Sequence, residues 1–269
     1  LDQDTKLIHI DQDPHEIDKI EPTNVGIVSD PKIALGHLSK ALESGMSGSA
    51  KKAAKKRISS VSKEKFAQKA AWQNRLKNRW DQNPMSPERM MAEIASVLPT
   101  DTIIVDDSVT SRDSIHGSIE FSRQDSIYGA TGGALGWGMG GALGAKLAHP
   151  DRPVMAIVGD GSAMMTVQAL WTAANENIPV VYIICNNMSY RVLKLNMNTY
   201  KTQILRDESP PSEYLGMDFP IPLNIAGISE AIGVYGRKIE NPSELAPTVR
   251  NALETGKPAV LDVIIDGSV

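Results

Sequence analysis

The sequence predicts an α/β fold: a doubly wound parallel sheet with helices on both faces, preceded by a remnant of a second α/β domain. Three observations carry this. From Ser86 onward, strand-like and helix-like segments alternate, the order expected of parallel strands joined by helical crossovers. The strands are near-continuous Val/Ile runs, such as "VMAIVGD" (154–160) and "PVVYIICNN" (179–187), which suit strands covered on both faces. Asp106, Asp160 and Asn187 fall at predicted strand ends, and in open α/β sheets ligands sit beyond the carboxyl ends of the strands.

The elements follow in order. "KLIHID" (6–11) alternates and runs into a turn, "VGIVSD" (25–30) is a second short strand, and an amphipathic helix spans Pro31 to about Glu43. Two strands and a helix cannot bury a core alone, so residues 1–44 are expected to be the C-terminal remnant of a larger domain. Residues 45–82 form a basic linker and helix. "SGMSGSAKKAAKKR" (44–57) reads as flexible linker, and Phe66, Ala70, Gln73, Leu76 and Trp80 fall near one face of the helix after it.

The third segment, 83–269, is the main domain. Ser86-Pro87 opens a helix with proline at its first position, expected over 87–97. Then come strand 102–107, a helix around 110–120, a glycine-rich helix over 132–148, strand 154–160, helix 163–176 and strand 179–187. Asn241-Pro242-Ser243-Glu244 resembles a capping box before a late helix, and "PAVLDVIID" (258–266) is a final buried strand.

Composition bounds the function. With 41% hydrophobic residues in 269 the chain can build a real core, and a net charge of −4 gives no global pull toward nucleic acid. Between Lys51 and Arg79 eleven Lys or Arg accompany one acid, Glu64, leaving about −14 on the remainder. That basic block lacks the aromatic interleaving of a nucleic-acid stripe and reads as a solvated surface. The single cysteine, Cys185, sits in an apolar strand and cannot form an intramolecular disulfide. With no secretory signal visible, a cytoplasmic location is expected. "GWGMGG" (136–141) matches a dinucleotide fingerprint, yet no strand runs directly into it. Residues 128–145 are uncharged but contain eight glycines, which argues against a membrane helix. The five histidines do not cluster at metal-ligand spacing.

One constellation carries chemistry. Asp160 ends one strand and Asn187 the next, 27 positions later, a separation at which a parallel βαβ unit brings the two ends together. Gly159 and Gly161 permit a tight turn, and Gly161-Ser162 opens a helix whose free N–H groups suit a phosphate. Carboxylate, amide and phosphate oxygens form the hard set that Mg²⁺ prefers. The site is therefore expected to clamp a diphosphate through a metal.

At these residues the chain resembles the thiamine-diphosphate enzymes, whose signature is GDG followed by NN at about this separation. Within that superfamily "GDGSAMMTVQALWTAANENIPVVYIICNNMSY", "LAHPDRPVMAIVGDGS" and "GGALG" are most similar to the benzoylformate decarboxylases. The resemblance covers roughly residues 83–269, and "IHIDQDPHEI" resembles the end of the family's middle domain. It implies that Asp160 and Asn187 bind Mg²⁺ through side-chain oxygens and Ser189 through its carbonyl. Gly161, Ser162 and Thr110 would meet the diphosphate. Leu135 would lie beneath the thiazolium, and the Gly133 carbonyl would contact the aminopyrimidine.

The activity implied is cleavage next to the carbonyl of a 2-oxo acid, by a decarboxylase or carboligase. The glutamate that meets the pyrimidine is expected on a separate N-terminal domain. This chain alone is accordingly expected to be inactive, and to work within a homodimer or homotetramer. Acetolactate synthases, 2-hydroxyacyl-CoA lyases and a non-catalytic cofactor-binding module are the alternatives. Leu195-Asn196 stands where the decarboxylases offer an aromatic wall, so an aromatic substrate is not implied. The loop 202–223 is expected to cover the site.

Overall fold

The computed structural model describes every residue except Leu1, Gln3, Glu208, Pro210, Pro211 and Ser212. It comprises two compact units, residues 1–68 and 69–269. In the first, β1 (Ile8–Asp11) and β2 (Val25–Val28) pair in parallel and precede α1 (Pro31–Gly45). Asp30 caps α1 by accepting from the Lys32 and Ile33 amides, with Pro31 at the first helical position. Among the described residues α1 buries none of its side chains.

Residues 44–57 do not form the expected flexible linker. A single helix, α2, runs from Gly48 to Asn78. Ala, Lys, Arg and Gln dominate it, and all are strong helix formers. Its one buried residue is Trp72.

The second unit carries the sheet. After α3 (Pro87–Ala95) come β3 (Ile103–Asp107), a 3₁₀ turn (Val109–Ser111), α4 (Arg112–Ser118), β4 (Ile127–Gly129), α5 (Trp137–Ala148) and β5 (Val154–Gly159). Then follow α6 (Asp160–Met165), α7 (Ala169–Asn175), β6 (Val181–Asn186), α8 (Arg191–Thr199), α9 (Ile225–Ala231), β7 (Tyr235–Ile239), α10 (Pro242–Glu254) and β8 (Ala259–Ile264). Strand order is β4-β3-β5-β6-β8-β7, all parallel.

Alternation along the strands splits the core in two, as period-two geometry requires. Ile104, Met155, Ile157, Ile183 and Leu261 pack with α3 and α10 on one face. Ile103, Val105, Ala156, Tyr182 and Val260 pack with α5, α7 and α9 on the other. The predicted doubly wound sheet is the observed one.

Two expected helices are broken. Apart from a short 3₁₀ turn at Thr131–Gly133, the glycine-rich segment is helical only from Trp137, because Gly132, Gly133 and Gly136 adopt φ of +77°, +74° and +85°. The expected helix 163–176 divides at Thr166, whose backbone leaves the helical region and whose hydroxyl donates to the Gly136 carbonyl. No described helix is long and apolar enough to cross a membrane.

Candidate functional site

Strand order sets the location. From β3 the chain moves to β4 on one side, then returns to place β5 on the other side of β3. That reversal is a topological switch point, where loops diverge and leave a crevice beyond the strand ends. The loops after β3, β5 and β6 meet there. With the segment between β4 and α5 they line a cleft of about 50 Å³ that includes Ser108, Thr110, Leu135, Asp160, Asn187 and Tyr190.

Seven of the eight residues singled out from the sequence line this cleft: Thr110, Leu135, Asp160, Gly161, Ser162, Asn187 and Ser189. Gly133 is not part of its wall. Leu135 is 45% exposed, so it is not a core residue. Thr110 provides no side-chain cap to α4.

Asp160 organises the cleft floor. It is buried, with Oδ1 accepting from the Gly161 N–H at 2.7 Å and Oδ2 from the Asn187 and Met188 N–H groups at 3.0 and 2.7 Å. One carboxylate thus joins the loops after β5 and β6. Burial pushes its pKa up to about 6, against the pull of those three amides. Gly161's N–H is consequently engaged by protein rather than free for a phosphate. Asn187 Oδ1 accepts from Ser189 N at 3.0 Å and Ser189 Oγ at 3.2 Å.

The donor set fits a hard cation. No ion pair of Asp160 occurs among the described residues, and an uncompensated buried carboxylate favours a positive partner. Asp160 Oδ1 accepts one hydrogen bond and keeps a lone pair for a metal, whereas Asp160 Oδ2 and Asn187 Oδ1 already accept two each, so a metal bound through either would replace one of those bonds. Among the described residues no cluster of three or more His, Cys, Asp or Glu could hold one, so an ion here would depend on amide, carbonyl and ligand oxygens, as Mg²⁺ does.

Neighbouring groups fix the rim. Asp107, at the end of β3, accepts from the Gly136 and Gly138 N–H groups at 2.9 and 3.1 Å. Burial raises its pKa, and those two bonds oppose the rise. It thereby anchors the start of α5 beside Leu135.

An aromatic wall escaped the sequence reading. Tyr190 and Phe219 stack edge to face, with centroids 4.7 Å apart at 88°. The later part of the 202–223 loop is tied down by Tyr190 N–H to Met217 O at 2.8 Å and Phe219 N–H to Met188 O at 2.9 Å. With Gly161, Met164, Pro220, Ile221 and Leu223 the two rings line an adjacent apolar cavity. The signal was the tyrosine three positions after the paired asparagines. Leu195 and Asn196 line neither cavity. Part of the expected covering loop, Glu208 and Pro210–Ser212, lies outside the described residues.

The family described as "Thiamine pyrophosphate enzyme, C-terminal TPP binding domain" matches residues 114–263, more than half of the sequence. The chain belongs to the thiamine pyrophosphate enzymes. It is 29% identical over 275 residues to a "Probable acetolactate synthase large subunit" of Methanococcus aeolicus, covering 98% of this chain and 43% of that protein. To benzoylformate decarboxylase of Pseudomonas aeruginosa it is 31% identical over 180 residues, 67% of this chain and 32% of the relative. A Rhodococcus jostii thiamine diphosphate-dependent 4-hydroxybenzoylformate decarboxylase superposes with a TM-score of 0.62 at 32% identity, over 69% of this chain and 33% of that one. The chain therefore spans less than half the length of these relatives.

Proposed function

We propose that this thiamine pyrophosphate enzyme chain supplies the diphosphate and Mg²⁺ end of a 2-oxo acid decarboxylase or carboligase site. One observation carries the reading: the segments after β3, β4, β5 and β6 bring seven of the eight named residues to one cleft. When bound, the thiazolium supplies the electron sink for breaking the bond beside the substrate carbonyl.

The chain's own residues bind and orient. Asp160, Asn187 and the Ser189 carbonyl hold Mg²⁺. The Ser162 and Thr110 hydroxyls meet the diphosphate, and Leu135 presents an apolar surface to the ring. The Tyr190–Phe219 wall excludes water from the diphosphate end. Gly133 meets the pyrimidine beyond the cleft wall. The glutamate facing that ring comes from residues outside this sequence, in a dimer or tetramer. The similarity to benzoylformate decarboxylases favours a decarboxylase, while the similarity to acetolactate synthases supports the carboligase alternative.

Calorimetric titration with thiamine diphosphate tests the reading. Binding should require Mg²⁺ and vanish in Asp160→Ala. Metal-independent binding of a nicotinamide dinucleotide instead would overturn it. Release of CO₂ from benzoylformate or pyruvate by this chain alone would refute the placement of the glutamate elsewhere.

A further inference from the structure

The rim after β3 holds a backbone conformation that the residue types do not favour. Val109 lies at φ +50°, in the left-handed region that β-branched side chains rarely adopt. Strain of this kind persists only when the surroundings over-determine it, and it gathers at functional sites.

One carboxylate brackets this residue. Asp106 is 2% exposed, near the end of β3. Its Oδ1 accepts from the Ser108 N–H at 3.0 Å and the Ser108 hydroxyl at 2.7 Å. Its Oδ2 accepts from Arg112 Nε at 2.6 Å. One carboxylate thus grips the residue before Val109 and the residue three after it. The intervening 3₁₀ turn is closed by Ser111 N–H to Ser108 O at 3.3 Å. Asp106 itself does not line the cleft, whereas Ser108, Val109 and Thr110 do. The Thr110 hydroxyl makes no hydrogen bond among the described residues, so it is available to a ligand.

We propose that Asp106 is a positioning residue: by holding Ser108 and Arg112 it keeps Val109 left-handed and turns the Thr110 hydroxyl toward the diphosphate end of the cleft. The proposal rests on the cofactor reading given above. It adds a residue that never touches the ligand and a strained residue whose conformation, rather than side chain, does the presenting.

A double-mutant cycle read by calorimetry with thiamine diphosphate and Mg²⁺ tests it. Thr110→Val should weaken binding about tenfold in the wild-type background, the loss of one hydrogen bond to a charged group. Asp106→Ala should cost at least as much, and Asp106→Asn should recover part of the loss by keeping one acceptor for Ser108. In the Asp106→Ala background Thr110→Val should cost nothing further, because its hydroxyl has already turned away. Val109→Pro, which cannot adopt positive φ, should reproduce the Asp106→Ala result with Asp106 intact and serves if that variant does not fold. A folded Asp106→Ala or Val109→Pro chain that binds as tightly as wild type would overturn the proposal. So would a Thr110→Val cost that persists in either background. Failure of the wild-type chain to bind would instead overturn the cofactor reading itself.

Discussion

A methyl group added at Gly161 gives the sharpest test of how the cleft is packed. Its Cβ would fall 2.6 Å from Tyr190 Cε1, 3.1 Å from Cδ1 and 3.5 Å from Phe219 Cζ. Ordinary carbon contacts lie near 3.5–4.0 Å, so the tyrosine ring has to retreat by about 1 Å. Retreat sacrifices the edge-to-face contact with Phe219, worth about 0.5–1.5 kcal/mol. It also forces the side chain off its rotamer, for a further ~0.5–1.5 kcal/mol. Replacing glycine in a helix returns up to about 1 kcal/mol, which leaves Gly161→Ala destabilised by about 1 kcal/mol.

Gly144→Ala is the matched control. That position is exposed on α5, with nothing within 4 Å of the added atom, and should gain about 1 kcal/mol. The two variants should therefore differ by roughly 2 kcal/mol, or about 4–8 °C in Tm for a unit of this size. Thermal denaturation followed by circular dichroism reads the difference. In a Tyr190→Ala background the sign should invert, and Gly161→Ala should stabilise. A Gly161→Ala chain as stable as Gly144→Ala would refute the account of the aromatic wall.

Four further outcomes follow. Arg79 donates to both oxygens of buried Glu88 at 3.0 Å and to Asp266 at 2.9 Å, so Arg79→Met should lose roughly 3 kcal/mol in urea unfolding. Burial alone would raise the Asp266 carboxyl, but hydrogen bonds from Ser268 and the Arg79 charge outweigh it and hold it below 3.8. Its stabilisation is complete above that ordinary value and lost as pH falls through the lower folded value, so wild type should show an acid-side loss below about pH 4 that Arg79→Met reduces. Burial pushes the Cys185 thiol up to about 12, so a disulfide reagent should label it only in denaturant. Thiamine diphosphate with Mg²⁺ at a hundredfold excess over Kd should add about 2.7 kcal/mol to stability, and a chelator should remove that gain.

Much of the fold was legible because the central strands are buried on both faces. β3, β5, β6 and β8 are Val/Ile runs between turn residues, a pattern that period and composition both report. The edges were not legible. β4 is three residues long, and β7 reads "YGRKI" with its charges facing solvent, as edge strands do when they avoid further pairing. Only the start of α2 was misread, for the opposite reason: the lysines and serines of 44–57 suggested a linker, while its alanines and long straight side chains favour helix.

The Asp160–Asn187 pair was readable because βαβ connectivity alone brings consecutive parallel strand ends together. Tyr190 and Phe219 were not, since a backbone pairing of Ser189 with Asp218 across the loop makes them neighbours. Val109 left no trace in sequence, because its conformation is imposed by a carboxylate on the preceding strand.

The bonds from Asp160 to the amides of Asn187 and Met188 exist in the fold itself. Two loops far apart along the chain are thus preorganised, their conformational entropy surrendered when the domain folds rather than when an anion arrives. Affinity at this rim should then be sensitive to substitutions that merely loosen a loop, even where no altered atom lies near the bound molecule.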